Sequence, residues 1–338
     1  MIAKKLIDLR WVKSSPMAGV ETYAKLGARS FINRSDTVIF VPRKNGFEDF
    51  LKGDNVVVDK YYALNNVYSY IYWMIGLAWN YHDHTIITFN YYNPLFNRRT
   101  LNTIMDLRLL DEGVLQKSFF TLNVLCSFSR YKRSYAISPY VQKMCEIKLG
   151  LKVDYIPTLM ETNRETENSI ITRENFALII SSDLSHKNLG IIYEIGEDLP
   201  IDVVIIGPSQ INDYAQCARI IHLGFVSKEQ KNALIRNSKF LIFPTLAEGF
   251  GYPILDAALF GKRILCNKLE VFISLFGDYP IYVNSTDVNS WKRALHSEVA
   301  FHSLPENKIE IVDEGIDSRL AKYFCIDRFV KDIIDLVE

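Results

Sequence analysis

Short apolar runs alternate with amphipathic stretches of helix length throughout this chain of 338 residues. In the first half, the runs that predict strands are Lys5 to Leu9, Thr37 to Val41, Asn55 to Asp59, Thr85 to Phe89, Asn102 to Met105, Ser134 to Ile137 and Val153 to Ile156. Helices are predicted between them over Val20 to Ile32, Asn66 to Asn80, Glu112 to Phe128 and Pro139 to Leu149. The second half repeats the scheme, with strands at Phe176 to Ser181, Val203 to Ile206, Ile220 to Leu223, Phe240 to Phe243, Arg263 to Cys266 and Pro280 to Val283. Alternation of this kind predicts parallel sheets covered by helices. The polar stretch Glu161 to Asn175 separates the halves and reads as a hinge linker. The expectation is therefore two α/β, Rossmann-like domains, residues 1–160 and 176–325, with ligands bound beyond the carboxyl ends of the strands.

Composition narrows the class. Hydrophobic residues make up 49% and charged residues 23%, with no low-complexity tract, so a folded chain is expected and disorder is not. The length exceeds one ordinary core and suits two domains. Met1 to Arg10 runs straight into a strand-like segment, so no leader is expected, and the most apolar stretch, Val67 to Trp79, is 13 residues long and broken by Ser69. The five cysteines are odd in number and scattered, with no C-x-x-C pair, which argues for reduced, cytoplasmic thiols and against a zinc site. His82-Asp83-His84 has two histidines at i and i+2 but no third ligand placed with them, and reads as a solvated turn. No P-loop string and no Ser/His/Asp arrangement is present, so nucleoside triphosphatase and hydrolase readings drop out.

The zero net charge conceals a division. Residues 1–160 hold 21 Lys+Arg against 13 Asp+Glu, a balance of +8, and the remainder carries −8. Basic residues cluster at Arg98-Arg99 and in Ser129 to Arg133, while aromatics crowd Tyr61 to Tyr81. A basic half suits contact with an anionic bilayer or an anionic, lipid-linked acceptor, and no nucleic acid partner is expected. The aromatics, at helical spacing, are expected to face a core.

Candidate chemistry is concentrated in Lys239 to Asn267. Phe240 to Phe243 reads as a buried strand ended by Pro244. Glu248, Gly249, Phe250, Gly251 and Tyr252 then form a loop that lets backbone approach a ligand, and Pro253 suits the start of a helix. The free N–H groups of that helix attract an anion, and Glu248 and Asp256, eight residues apart, bracket the spot with hydroxyl-binding oxygens. The set suits a sugar nucleotide.

This string, followed by a small-residue helix and a Gly-x-x-Ile strand, resembles the E-x7-E region of retaining glycosyltransferases of family 4, which have the GT-B fold of two Rossmann-like domains facing a central cleft. The resemblance implies that Glu248 holds donor-sugar hydroxyls, that the amides after it hold sugar and diphosphate, and that Asp256 holds the ribose, although the second acid is usually glutamate. Ala18 to Tyr23 is similar to the family's Gly-Gly-x-x-x-Tyr loop, with Gly19 at the position that reaches the diphosphate across the cleft. Ser181 to Asn188 falls where the family has Gly-Arg-x4-Lys, so Lys187 matches while Ser182 replaces the arginine. Asn102 to Leu107 resembles a strand ending in His-Asp-Leu, with Met105 in place of the histidine and Asp106 retained. Ser138 matches a strand-end serine at the cleft, and Asp327 to Val337 is the segment expected to cross back onto the first domain.

The function implied is a metal-independent, retaining transfer of a sugar from a nucleotide diphosphate to a hydroxyl of a glycan or lipid-linked acceptor. Glu248, Lys187 and Asp106 would be the catalytic residues, and no cofactor is expected. Surface polysaccharide assembly, O-antigen or capsule, on the inner face of the cytoplasmic membrane is the expected setting. A catalytically weak scaffold subunit, or an epimerase or phosphorylase on the same fold, is the alternative.

Overall fold

The computed structural model describes residues 4–11, 19–42, 51–59, 67–89, 99–107, 110, 132–161, 165–166, 175–182, 184–207, 217–283, 287–303, 321–323 and 325–337. Asn66, Ala18, Arg98, Ser129 to Tyr131, most of the expected hinge and the predicted helix Glu112 to Phe128 lie outside the described residues.

In chain order the elements are β1 (Lys5–Asp8), α1 (Gly19–Arg29), β2 (Thr37–Pro42), β3 (Val56–Asp59), α2 (Val67–Asn80), β4 (Thr85–Ile87), β5 (Thr100–Ile104), β6 (Lys132–Ala136), α3 (Pro139–Leu149) and β7 (Asp154–Tyr155). There follow β8 (Phe176–Ile180), α4 (Gly190–Ile195), β9 (Asp202–Ile206), β10 (Ile220–Gly224), α5 (Lys228–Asn237), β11 (Phe240–Phe243), α6 (Tyr252–Leu259), β12 (Arg263–Asn267), α7 (Glu270–Phe276), β13 (Ile281–Val283), α8 (Val288–His302) and α9 (Ile326–Val337). The chain divides into two compact units, Met1–Glu161 with Lys322–Glu338, and Thr162–Ala321.

The first unit holds a sheet ordered β3-β2-β1-β4-β5-β6-β7 and the second a sheet ordered β10-β9-β8-β11-β12-β13, all neighbours parallel. Central strands are buried on both faces, which is why β8 reads FALII and β11 reads FLIF rather than alternating. In each sheet the chain steps outward from one strand, then returns to that strand's other side. Those reversals fall between β1 and β4 and between β8 and β11.

Two charged groups are built into the first reversal. Asp8 is fully buried at the end of β1 and accepts from the Arg10 guanidinium at 2.7 Å and from the Trp73 indole at 3.0 Å. Arg10 also reaches Asp59 at 2.8 Å and lies over the Phe40 ring at 4.6 Å, so one guanidinium ties β1, β2 and β3 together. Burial works to lower the Arg10 pKa, but attraction and hydrogen bonds from Asp8 and Asp59 outweigh it and the pKa is raised. Elsewhere the local signals are ordinary ones: Ser138 caps α3 by accepting from the Val141 N–H at 3.2 Å, and Gly150 closes that helix in the left-handed region. The strand-end serine thus has a structural job in its own unit.

α9 packs on the first unit through Phe329, which stacks on Phe89 and meets Tyr23 edge-on, with Val330 and Ile333 also buried. Arg133 donates to the Leu336 carbonyl at 2.8 Å, satisfying an end of α9. That residue of the basic cluster is therefore occupied. His82 to His84 form a turn, with His84 Nδ1 2.6 Å from Asp83, and no group of three or more potential metal ligands occurs among the described residues. Cys145, Cys217, Cys266 and Cys325 are free, and burial pushes the Cys145 thiol up to about 12, out of the reactive range.

One expectation is corrected by α2. Trp73, Met74 and Leu77 face the interior, but Tyr68, Tyr72 and Trp79 are 84%, 69% and 82% exposed, and Ile71 and Ile75 lie exposed between them. The helix carries no acidic residue in its first turn and no basic one in its last. Apolar residues all round it gave no clue to which side would be covered. Among the described residues no helix is long and apolar enough to cross a membrane.

Close approach of backbone sets a demand at Gly207, whose φ is +128° and where an added Cβ would lie 1.8 Å from the Ser181 carbonyl oxygen. Gly207→Ala should lower the unfolding free energy by about 3 kcal/mol or more, read from a urea titration. A midpoint equal to that of the unaltered chain would contradict this packing of β8 against β9.

Candidate functional site

The turn after β8 and the loop after β11 meet because those strands are neighbours. Pro244 ends β11 and the chain turns toward the 3₁₀ turn Ser185–Lys187. The Leu246 N–H donates to the His186 carbonyl at 2.7 Å, and the Thr245 hydroxyl donates to the same oxygen at 3.1 Å. From the other side, the Asn267 amide at the end of β12 donates to the carbonyls of Pro244 and Thr245, the latter at 2.8 Å, and Asn267 and Thr245 are both fully buried. The loop is thus fastened on both flanks.

That fastening sets the charges. Lys187 Nζ donates directly to Glu248 Oε1, with both side chains largely buried, and lies 5.6 Å from the centre of the Phe243 ring. Of the three N–H groups on the ammonium, one is used by Glu248, so the pair can still take an anion on one side and hydroxyls on the other. Gly249 and Phe250 are buried, and the Phe250 side chain packs against Tyr252 and Phe276.

Gly251 opens α6 with φ +103°, and an added Cβ would lie 2.8 Å from the Phe272 ring. Only glycine meets both conditions. Among the described residues no side chain caps the amino end of α6. One and a half turns on, Asp256 accepts from Lys231 Nζ of α5 at 2.7 Å. Ser182 follows β8 and is half-buried.

The second unit therefore brings together Lys187, Glu248 and the amino end of α6, with Asp256 on the same helix. Gly19, Met105 and Asp106 are placed on the first unit: Gly19 is exposed at the start of α1, Met105 is buried just past β5, and Asp106 is half-buried beside it. All three lie at the carboxyl edge of their sheet or just beyond it. Sequence reasoning missed Thr245, Asn267 and Lys231. Asn267 directly after a buried β run was the one signal available, because an amide there has no partner within its own strand.

Two parallel α/β units, the second with a Glu-Gly-Phe-Gly turn at its strand-order reversal, define a GT-B protein. Residues 161–300 match the family described as Glycosyl transferases group 1. The chain is similar to the D-rhamnosyltransferase WbpZ of Pseudomonas aeruginosa, 27% identical over 51% of this chain and 48% of that protein. It is also similar to the O-antigen chain mannosyltransferase RfbU of Salmonella typhimurium, 21% identical over 68% of this chain and 69% of the relative. The chain thus spans about half the length of the first of these relatives and about two thirds of the second. The solved structure of Anabaena Alr3699/HepE in complex with UDP and glucose superposes with a TM-score of 0.76 over 99% of both chains at 14% identity, which establishes the shared fold.

Removing the loop's fastening should be measurable. Asn267→Ala leaves two buried carbonyls without their donor and should cost about 2 kcal/mol in chemical unfolding. An unchanged stability would show that the loop keeps its shape without this amide.

Proposed function

We propose that the chain is a retaining, metal-independent glycosyltransferase that moves a sugar from a nucleotide diphosphate to a hydroxyl of a glycan or lipid-linked acceptor, in the assembly of surface polysaccharide. The observation that carries this reading is the Lys187–Glu248 pair beside the amino end of α6 at the β8/β11 reversal. Open parallel sheets bind ligands at such reversals. The group 1 family match, relatives named as rhamnosyl- and mannosyltransferases, and a structural neighbour holding UDP and glucose all support it.

Each residue then has a role in the chemistry. Glu248 accepts from donor-sugar hydroxyls and fixes the ring. Lys187 and the N–H groups at the start of α6 take up negative charge as the bond between the anomeric carbon and the diphosphate oxygen breaks. The acceptor oxygen bonds to the anomeric carbon on the face the diphosphate leaves, and its proton passes to the departing phosphate oxygen. Stereochemistry is retained, and the charge is met without a divalent cation. Gly19 and Asp106 lie at the carboxyl edge of the first unit's own sheet, the edge at which open parallel sheets bind ligands. Met105, which neither donates nor accepts a proton usefully, supplies only apolar packing within the first unit.

The exposed face of α2 is the membrane contact in this reading. Tyr68, Tyr72 and Trp79 carry apolar bodies with polar tips and flank Ile71 and Ile75, the distribution favoured at a lipid–water interface. One side of a 14-residue helix is about 21 Å long and covers a few hundred Å2 at most, below the roughly 800 Å2 per partner of a stable dimer. The +8 balance of residues 1–160 favours anionic lipid.

Two outcomes are expected. Glu248→Gln should slow transfer about 10- to 100-fold, the value of one charged hydrogen bond, while chelation by EDTA leaves the unaltered enzyme as active as before and the product keeps the donor's anomeric configuration by NMR. Full activity of Glu248→Gln would remove the residue from the site. In vesicle sedimentation with anionic lipid, Tyr72→Ser with Trp79→Ser should reduce binding about 10-fold or more, since two interfacial aromatics are lost. Equal binding by both proteins would free α2 of this role.

A further inference from the structure

We infer that the recess between the end of α1 and the side of α9 is a binding site of the first unit for a small hydroxylated phosphate of the sugar phosphate class. Its volume is about 340 Å3, within the range of small-molecule sites. Ser30 and Arg34 line it from the α1 side, and Asp327 and Lys331 line it from α9. The remaining wall is apolar: Ile326, Val330 and Ile334 follow one another at four-residue spacing along one face of α9. Gly19 begins α1 and the recess lies past the other end of that 11-residue helix, roughly 16 Å away, so a ligand here is not the donor.

Two cations reach the recess from separate elements, and neither is fully used. Asp36 accepts from Lys5 at 3.0 Å and from the Thr37 hydroxyl at 2.9 Å, so its contacts with Arg34, at 3.3 and 3.4 Å, are the longer ones. Arg34 Nη1 makes no hydrogen bond among the described residues. Lys331 follows Asp327 by four residues, the spacing and order that favour an ion pair, yet these two do not pair, whereas Arg328 and Asp332 on the same helix do, at 3.6 Å. Both Lys331 and Asp327 therefore keep their capacity for a ligand. Phosphate suits the guanidinium fork of Arg34 and the point charge of Lys331. Sugar hydroxyls suit the Asp327 carboxylate and the oxygen of Ser30, whose own proton is donated to the Gly27 carbonyl at 2.6 Å. The apolar stripe takes the C–H face of a ring. An acyl chain would set its carbons against three charges, and a bare phosphate would leave Asp327 and the stripe unused.

Calorimetry with mannose 6-phosphate, inorganic phosphate and mannose tests the assignment. The unaltered chain should bind the sugar phosphate about 10-fold or more tightly than either of its parts. Lys331→Met should weaken the sugar phosphate about 10-fold, the value of one charged hydrogen bond, and Asp327→Asn should weaken it while leaving inorganic phosphate as before. Lys187→Ala, at the donor site, should leave all three unchanged. Lys331 is exposed, so urea titration of Lys331→Met should give the midpoint of the unaltered chain. Sugar phosphate binding that survives Lys331→Met and is lost in Lys187→Ala would move the ligand to the donor site and overturn the inference. Inorganic phosphate held as tightly as the sugar phosphate, or no binding of the sugar phosphate at all, would overturn it too.

Discussion

Everything proposed for the second unit depends on the side-by-side placement of β8 and β11. These strands are far apart in sequence, and pairing them in parallel delivers whatever follows each one to the same edge of the sheet. Lys187 follows the first and Glu248 the second, so a buried backbone ladder determines that a cation and a carboxylate meet. Hydrogen bonds from Leu246 and Thr245 to the single His186 carbonyl then convert adjacency into fixed geometry. A carboxylate held by a lysine stays aimed in one direction, which is the preorganisation that binding and transition-state stabilisation both require.

The same constraint operates in the first unit with a different result. At the β1/β4 reversal the chain places a buried carboxylate, Asp8, and spends its charge on Arg10 and Trp73 rather than leaving it open. Removing one partner of so buried a pair would strand the other. Asp8 and Arg10 shortly precede Gly19 in the sequence, yet their contacts are structural ones that tie three strands together. Placement at a strand end is therefore not sufficient for a functional role.

Most of the architecture was legible because parallel strands buried on both faces leave an unmistakable apolar run. Phe240–Phe243 and Pro139–Leu149 fall where the sequence placed them, and the other described strands differ by a residue or two at their ends. The Glu248 to Asp256 string was legible because glycine, proline and acid follow one another within one turn of chain. Pairings between distant segments were not. Nothing near Lys231 announces Asp256, and nothing near Asn267 announces that it fastens the loop after Pro244. The aromatic helix shows a different limit: periodicity identifies apolar residues, but when every side is apolar only the fold decides that Trp73 is covered and Trp79 is not.

A crystal structure of the chain with a nucleoside diphosphate bound would test the central claim most directly. The account predicts the diphosphate within hydrogen-bonding distance of Lys187 Nζ and of the backbone N–H groups at the start of α6, with the ribose toward Asp256. A nucleotide seated away from the β8/β11 reversal, with Lys187 and Glu248 still closed on each other and untouched, would contradict it.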